Sequence, residues 1–178
     1  MSTRLETRRL ILRGFEDADI PEIVRLAGVR EIAATTLRIP HPYSHADAEK
    51  FVSYARQDRR AIFAIVLKDT GQLCGALGLE LDAANQRAEL GYWIGVPYWG
   101  RGYATEAACA VVQHGFEVLK LNRIYAFHFS QNPASGRVLQ KIGMRHEGRQ
   151  RGHVYKWGRF VDLEMYGLLR SEWTAPRS

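Results

Sequence analysis

The stretch Ala88 to Ala110, AELGYWIGVPYWGRGYATEAACA, decides how this chain is read. An apolar, β-prone run from Leu90 to Val96 ends at Pro97, passes through Gly100-Arg101-Gly102 and becomes an alanine-rich helical pattern from Tyr103. The order is strand, glycine turn, helix start. Glycine reaches backbone angles closed to other residues and lets a ligand approach closely. The first turn of a helix leaves N–H groups unpaired at the positive end of the helix dipole. Together these features make an anion site, and the expected anion is a phosphate.

Three classes of glycine turn compete for the stretch. A Walker loop needs Gly-Lys-Ser/Thr at its end, but Tyr103 follows Gly102. A dinucleotide fingerprint would place its third glycine at Thr105, and no acidic residue closes a second parallel strand about 20 residues on. The third class fits. Trp99-Gly100-Arg101-Gly102-Tyr103-Ala104 resembles the Q/R-x-x-G-x-G/A signature of the GCN5-related N-acetyltransferases, with Trp99 in the Q/R slot. The longer block Trp-Gly-Arg-Gly-Tyr-Ala-Thr-Glu-Ala is similar to the RimJ/RimL-type branch, which acetylates amino termini of ribosomal proteins and various small amines. For a Gly-x-Gly alone, a corner without a ligand is the competing interpretation; the whole block favours the functional one.

Downstream, Arg123 to Ser130 reads as a strand and Asn132 to Met144 as a capped helix. Asn132 suits an N-cap, Pro133 the first helical position and Gly143 a left-handed stop. By itself Asn132 is a cap and nothing more. The resemblance adds that N-x-x-S followed by glycine is the branch's second motif, giving Asn132 and Ser135 contacts to coenzyme A. Met144 to Arg149 and Phe160 to Leu169 read as two closing strands around the turn Lys156-Trp157-Gly158-Arg159.

Upstream, Thr7 to Arg13 alternates apolar and basic side chains as an edge-like strand. Asp17 and Asp19 offer caps to a short helix carrying Ile20, Ile23, Val24 and Ala27. The pattern fails between Arg30 and Tyr43. A second helix follows, with Ser44 as cap and Asp47 in a capping-box place. Ala61 to Leu67 and Leu73 to Leu81 form a hairpin leading into the central strand. The resemblance implies that the two amino-terminal helices lie over the acceptor cleft, so the weakly patterned segment between them would shape substrate choice. The expected fold is α/β (α+β): a mixed, mostly antiparallel sheet of about seven strands with about four helices, splayed open beside the glycine turn.

A chain of 178 residues suits one domain, 1–178, with 174–178 as a loose tail. No apolar run approaches the roughly 20 residues that span a bilayer, and the amino terminus does not read as a secretory signal. A cytoplasmic location is expected, without membrane association. Cys74 and Cys109 give neither a metal spacing nor a disulfide framework, so buried thiols and no metal are expected. The net charge of +6 favours polyanionic partners, coenzyme A among them, although charge alone cannot choose between them. Direct nucleic-acid binding is not expected; a homodimer is compatible with the resemblance.

Acetyl transfer to an amine requires a held thioester, a neutral amine, a stabilised oxyanion and a proton for the departing thiolate. Backbone N–H groups of Gly100, Arg101, Gly102, Tyr103, Ala104 and Thr105 are expected on the pyrophosphate, with the Arg101 charge beside them. The family uses backbone groups of the preceding strand for the thioester, which map to Ile94 and Val96. Gly95 before Pro97 suggests a bulge that frees the Ile94 N–H for the acetyl oxygen. Glu89 is the candidate base, weighed against a surface glutamate on a half-exposed strand. Alternation places Glu89, Gly91 and Trp93 on one face. Several RimL-like enzymes carry a glutamate before a Tyr-x-x-Gly segment, but here Val154 fills that slot and His153 becomes a substitute. The superfamily's usual donor tyrosine falls at Leu139; the resemblance to the RimL-like branch implies Ser135 as the group beside the thiolate, weighed against an ordinary residue in the helix's first turn. These features imply an acetyl-CoA-dependent N-acetyltransferase acting by direct attack on an amine acceptor, either a ribosomal-protein amino terminus or a small amine. A non-catalytic acyl-CoA-binding sensor is the alternative.

Overall fold

The computed structural model describes residues 3–57 and 61–174. Most of the expected tail, 175–178, therefore lies outside the described residues. One sheet of eight strands runs in the order β1-β2-β3-β4-β5-β6-β8-β7, where the strands are β1 Leu5–Glu6, β2 Leu10–Arg13, β3 Ala61–Leu67, β4 Leu73–Asp82, β5 Arg87–Ile94, β6 Arg123–Phe129, β7 Arg145–Lys156 and β8 Arg159–Leu169. Five α-helices accompany it: α1 Ile20–Ala27, α2 Arg30–Thr35, α3 His45–Ala55, α4 Tyr103–Glu117 and α5 Pro133–Lys141. The architecture is the mixed, mostly antiparallel one expected.

The counts exceed expectation by one strand and one helix, each too short to show periodicity. β1 has two residues, and α2 has six with only Ile32 and Ala33 buried and no side-chain cap. A nucleus that short is unfavourable by itself, so packing holds it helical. The Ser44 cap of α3 forms the reciprocal box with Asp47, whose carboxylate accepts from the Ser44 N–H at 2.9 Å.

Among the described residues the only parallel strand pair is β5 with β6, and it is brief. Arg87, Ala88 and Glu89 lie opposite Arg123, Ile124 and Tyr125, after which the strands part. By contrast β5 stays paired with β4 from Arg87 to Ile94. α4 explains part of this geometry. Ala107, Ala108, Val111, Val112 and Phe116 are buried against the sheet, and burying one such large side chain contributes about 1.5–3 kcal/mol. A Cβ on Gly115 would come within 2.8 Å of Ile124 and 3.0 Å of Leu79, so the helix lies close on β4 and β6. Among the described residues no helix is long and apolar enough to cross a membrane, and no group of three or more His, Cys, Asp or Glu could hold a metal ion.

Candidate active site

The parting of β5 and β6 makes the site. Register fixes what β5 presents there. The Gly95 N–H donates to the Cys74 carbonyl at 2.9 Å, so Gly95, Trp93, Gly91 and Glu89 direct their backbone groups to β4. The N–H groups of Tyr92 and Ile94 point the other way, toward a β6 that has moved off. The expected bulge at Gly95 is corrected by this register, which shows no shift between β4 and β5. Ile94 faces the opening because the neighbouring strand leaves, not because an extra residue intrudes.

Side chains alternate accordingly. A Cβ on Gly95 would meet Leu26 of α1, placing Glu89, Gly91, Trp93 and Gly95 on the face of α1 to α3. Leu90 and Tyr92 face α4 and α5. A cleft of about 460 Å³ there is lined from both sides, including Glu89, Gly91 and Tyr92 of β5, Phe127 and Phe129 of β6, and Ser135. A Cβ on Gly91 would meet nothing within 4 Å, so the strand's missing side chain leaves space in this cleft.

Beyond the strand, a short 3₁₀ turn Val96–Tyr98 leads to the glycine turn. The Trp99 indole Nε1 donates to the Ile94 carbonyl at 2.5 Å and ties turn to strand. Gly100 and Gly102 have φ of +74° and +80°, a region unfavourable for a β-branched side chain. Gly102 is the N-cap of α4, so the N–H groups of Tyr103, Ala104 and Thr105 start the helix without intrahelical acceptors. Arg101 is exposed beside them.

Sequence reasoning missed a second cation here. Arg9 packs its guanidinium 4.7 Å from the centre of the Tyr103 ring, with Nη2 3.5 Å from the Cβ position of Gly102. Glu106 orients it, accepting from the Arg9 N–H at 2.8 Å, Arg9 Nε at 2.7 Å and Thr7 Oγ1 at 2.6 Å. These bonds draw the Glu106 carboxyl below its usual range against the opposing effect of burial. Alternating basic residues in Thr7–Arg13 signalled a strand but not this contact.

On the other side of the opening, α5 presents Ser135. Asn132 caps the helix, its Oδ1 accepting from the Ser135 N–H at 3.4 Å, and Gly143 closes it at φ +89°. Gly136 is needed for close packing on β6, since a Cβ there would come within 2.6 Å of His128 Nε2. Ser135 Oγ lies 2.7 Å from the Tyr92 hydroxyl, a pairing the sequence did not announce. Burial pushes the Tyr92 phenol up to about 12, offset in part by the Ser135 bond.

Glu89 stands on the opposite wall, half-buried, with Arg38 Nη2 3.3 Å from its Oε1. Burial raises its carboxyl above the usual range; the Arg38 charge opposes this and Glu80 reinforces it. The structure brings Glu89 and Ser135 to one cleft, whereas Ile94 and the glycine turn are not among the residues that line it. His153 is exposed on β7 and is not among the residues lining the cleft.

Residues 9–145 match the family model for the acetyltransferase (GNAT) domain. The uncharacterized N-acetyltransferase YoaA of Bacillus subtilis is 32% identical over 176 residues, covering 93% of this chain and 96% of the relative. The putative ribosomal N-acetyltransferase YdaF of the same organism is 39% identical over 117 residues, covering 65% and 63% respectively. Among solved structures, a GNAT-family acetyltransferase from Bacillus anthracis superposes with a TM-score of 0.87 at 26% identity, covering 96% of this chain and all of its own. The chain belongs to the GNAT acetyltransferase family. It is an N-acetyltransferase whose cosubstrate is acetyl-CoA, and its mixed, mostly antiparallel architecture matches that of its GNAT neighbours.

Proposed function

We propose that the chain moves the acetyl group of acetyl-CoA to a primary amine in the RimJ/RimL manner, by direct attack and without an acyl-enzyme intermediate. What supports this reading is that Glu89 and Ser135 both line one cleft and that the Ile94 N–H turns away from β4 toward the side that β6 leaves. The diphosphate rests on the N–H groups of Gly100 to Thr105, with Arg101 and Arg9 adding charge. The Ile94 N–H polarises the thioester carbonyl and, in the tetrahedral intermediate, bonds its oxyanion.

The amine nitrogen attacks the carbonyl carbon, and Glu89 accepts the nitrogen's proton directly or through one water. The C–S bond then breaks, and the Ser135 hydroxyl gives its proton to the departing thiolate. Tyr92, bonded to the same oxygen, returns a proton to Ser135 and regains one from solvent. A carboxylate with a raised pKa and a relayed hydroxyl suit these two roles. Similarity to YdaF, a putative ribosomal N-acetyltransferase, favours a ribosomal-protein acceptor; the apolar and aromatic lining of the cleft favours a small amine. Free-thiol release from acetyl-CoA with a pool of amines and amino-terminal peptides tests the reading. Stoichiometric thiol and acetylated amine are expected; binding of acetyl-CoA with no thiol release would make the chain a sensor.

A further inference from the structure

A glycine inside a strand weakens it, and such a residue marks a bulge, a strained torsion, or close approach by another part of the chain or by a ligand. Gly75 and Gly78 of β4 are explained by crowding. A Cβ would come within 2.3 Å of the Trp93 carbonyl oxygen at the first and 2.7 Å of Ile62 Cγ1 at the second. Gly148 and Gly152 of β7 are explained by φ of +142° and +57°. None of these reasons applies to Gly91. Its φ lies outside the left-handed region, the β4–β5 register runs through it without a shift, and a Cβ there would meet nothing within 4 Å. Although β5 is the fifth of eight strands, Gly91 is exposed, and the surface it exposes lines the cleft. The reason left is approach by a ligand.

The surroundings of Gly91 give that ligand a shape. Its cross-strand partner is Gly78, where the place of a side chain is taken by Ile62 of β3. Ile62 therefore walls the cleft on that side. On the other, Glu89 pairs with Tyr125 in parallel register, so Phe127, two residues on, shares the face of Gly91 where β6 turns away. Phe51 of α3 and Ile39 line the same cleft. The floor at Gly91 is thus bare peptide, bounded by aliphatic and aromatic side chains. A planar ring lies flat on such a floor and meets neighbouring rings by edge or face, contacts that add to the area it buries. A puckered body of equal size packs less closely there. Gly91 also stands on β5 between Glu89 and Ile94, so an amine that uses both in the transfer must cross it.

Building on the transferase reading above, we propose that Gly91 is a specificity-determining residue of the acceptor site, its bare peptide floor taking primary amines with a planar aromatic body. The test measures thiol release from acetyl-CoA with 2-phenylethylamine, 2-cyclohexylethylamine and ethylamine, with kcat/KM referred to the neutral amine. 2-Phenylethylamine should exceed its saturated counterpart by ~5-fold, the scale of ring-to-ring contact, and ethylamine by ~100-fold, the scale of burying a ring. Gly91→Ala places a methyl group on the floor. Extended backbone and open space admit it, so the variant should fold with a Tm equal to wild type or higher. The ratio of 2-phenylethylamine to ethylamine should fall ~10-fold in that variant, as for one carbon too many in a fitted pocket. Gly91→Leu, which fills more of the cleft, should lower the ratio further. An unchanged ratio in both variants overturns the inference. So does an equal loss for all three acceptors, because the added group would then obstruct only the reacting centre. Equal or better use of 2-cyclohexylethylamine or ethylamine by the wild type overturns it as well. Thiol release with peptide amino termini alone overturns the inference and leaves the transferase reading standing. No release with any acceptor removes that reading, and the inference with it.

Discussion

The two halves of the proposed site are built differently. The cofactor half, from β5 through α4 to α5, is made largely of backbone: glycine torsions, unpaired N–H groups and a capped helix end. The acceptor half is made of side chains that arrive from α2, α3, β4, β5 and β6 and meet only in the folded chain. A backbone site tolerates change in most side chains but not in the torsions that shape it. A side-chain site keeps its shape while its charge and specificity change.

The sharpest way to break that contrast is Gly102→Val. A β-branched residue at φ +80° is strained, and its side chain would enter the space proposed for the diphosphate. Acetyl-CoA binding should fall by ~100-fold or more, as strain and lost N–H contacts combine. Calorimetric titration checks this, and unchanged affinity would remove the turn from the cofactor half.

Glu89→Gln comes next and asks whether the acceptor half also supplies the base. General base assistance is worth ~10²–10⁴-fold, so a loss of at least ~100-fold is expected below the acceptor's pKa, shrinking above it. The sign follows from the shift. Burial raises the Glu89 pKa, so the wild-type rate should decline on the acid side at a higher pH than an ordinary glutamate would give. His153→Ala, measured in the same pH–rate series, should match wild type. Wild-type rates in Glu89→Gln from pH 6 to 9 would exclude Glu89, and a normal His153→Ala profile as well would leave solvent as the proton acceptor.

Ser135→Ala tests the junction between the halves. Turnover should fall by ~10²-fold while acetyl-CoA affinity changes little, because donation matters when charge develops on sulfur. Tyr92→Phe should act in the same direction but less strongly. Equal losses in kcat and affinity for Ser135→Ala would make the residue a contact only.

The smallest effect is expected at Arg9, where a side chain supplements a backbone site. Arg9→Gln should raise KM for acetyl-CoA by ~10-fold with kcat retained, the scale of one bond to a charged group. Glu106→Gln should reproduce part of this by releasing the guanidinium. An unchanged KM in both would confine phosphate recognition to the turn and Arg101.

Several of these parts were legible before the fold was known. The break at Pro97, the glycines at 100 and 102, the Ser44 box and the Asn132-Pro133 start each depend on residues within a few positions of one another. α2 was not legible, since Arg30–Thr35 has too few turns for a periodic face. The bulge expected at Gly95 was a local inference about something nonlocal: the Ile94 N–H lacks a strand partner because β6 diverges, and no residue near Gly95 encodes that divergence.

By itself, then, the sequence determined the strand, turn and helix of residues 88–110 and the capped helix after Asn132, because torsional preference and capping act over short range. Tertiary structure alone decided which charges meet. Arg38 reaches Glu89 across 51 residues, Arg9 reaches Glu106 across 97, and Tyr92 reaches Ser135 across 43. Pairing a charge or a hydroxyl over such separations depends on sheet order and helix packing, and these follow from burial summed over the whole core rather than from any one stretch of the chain.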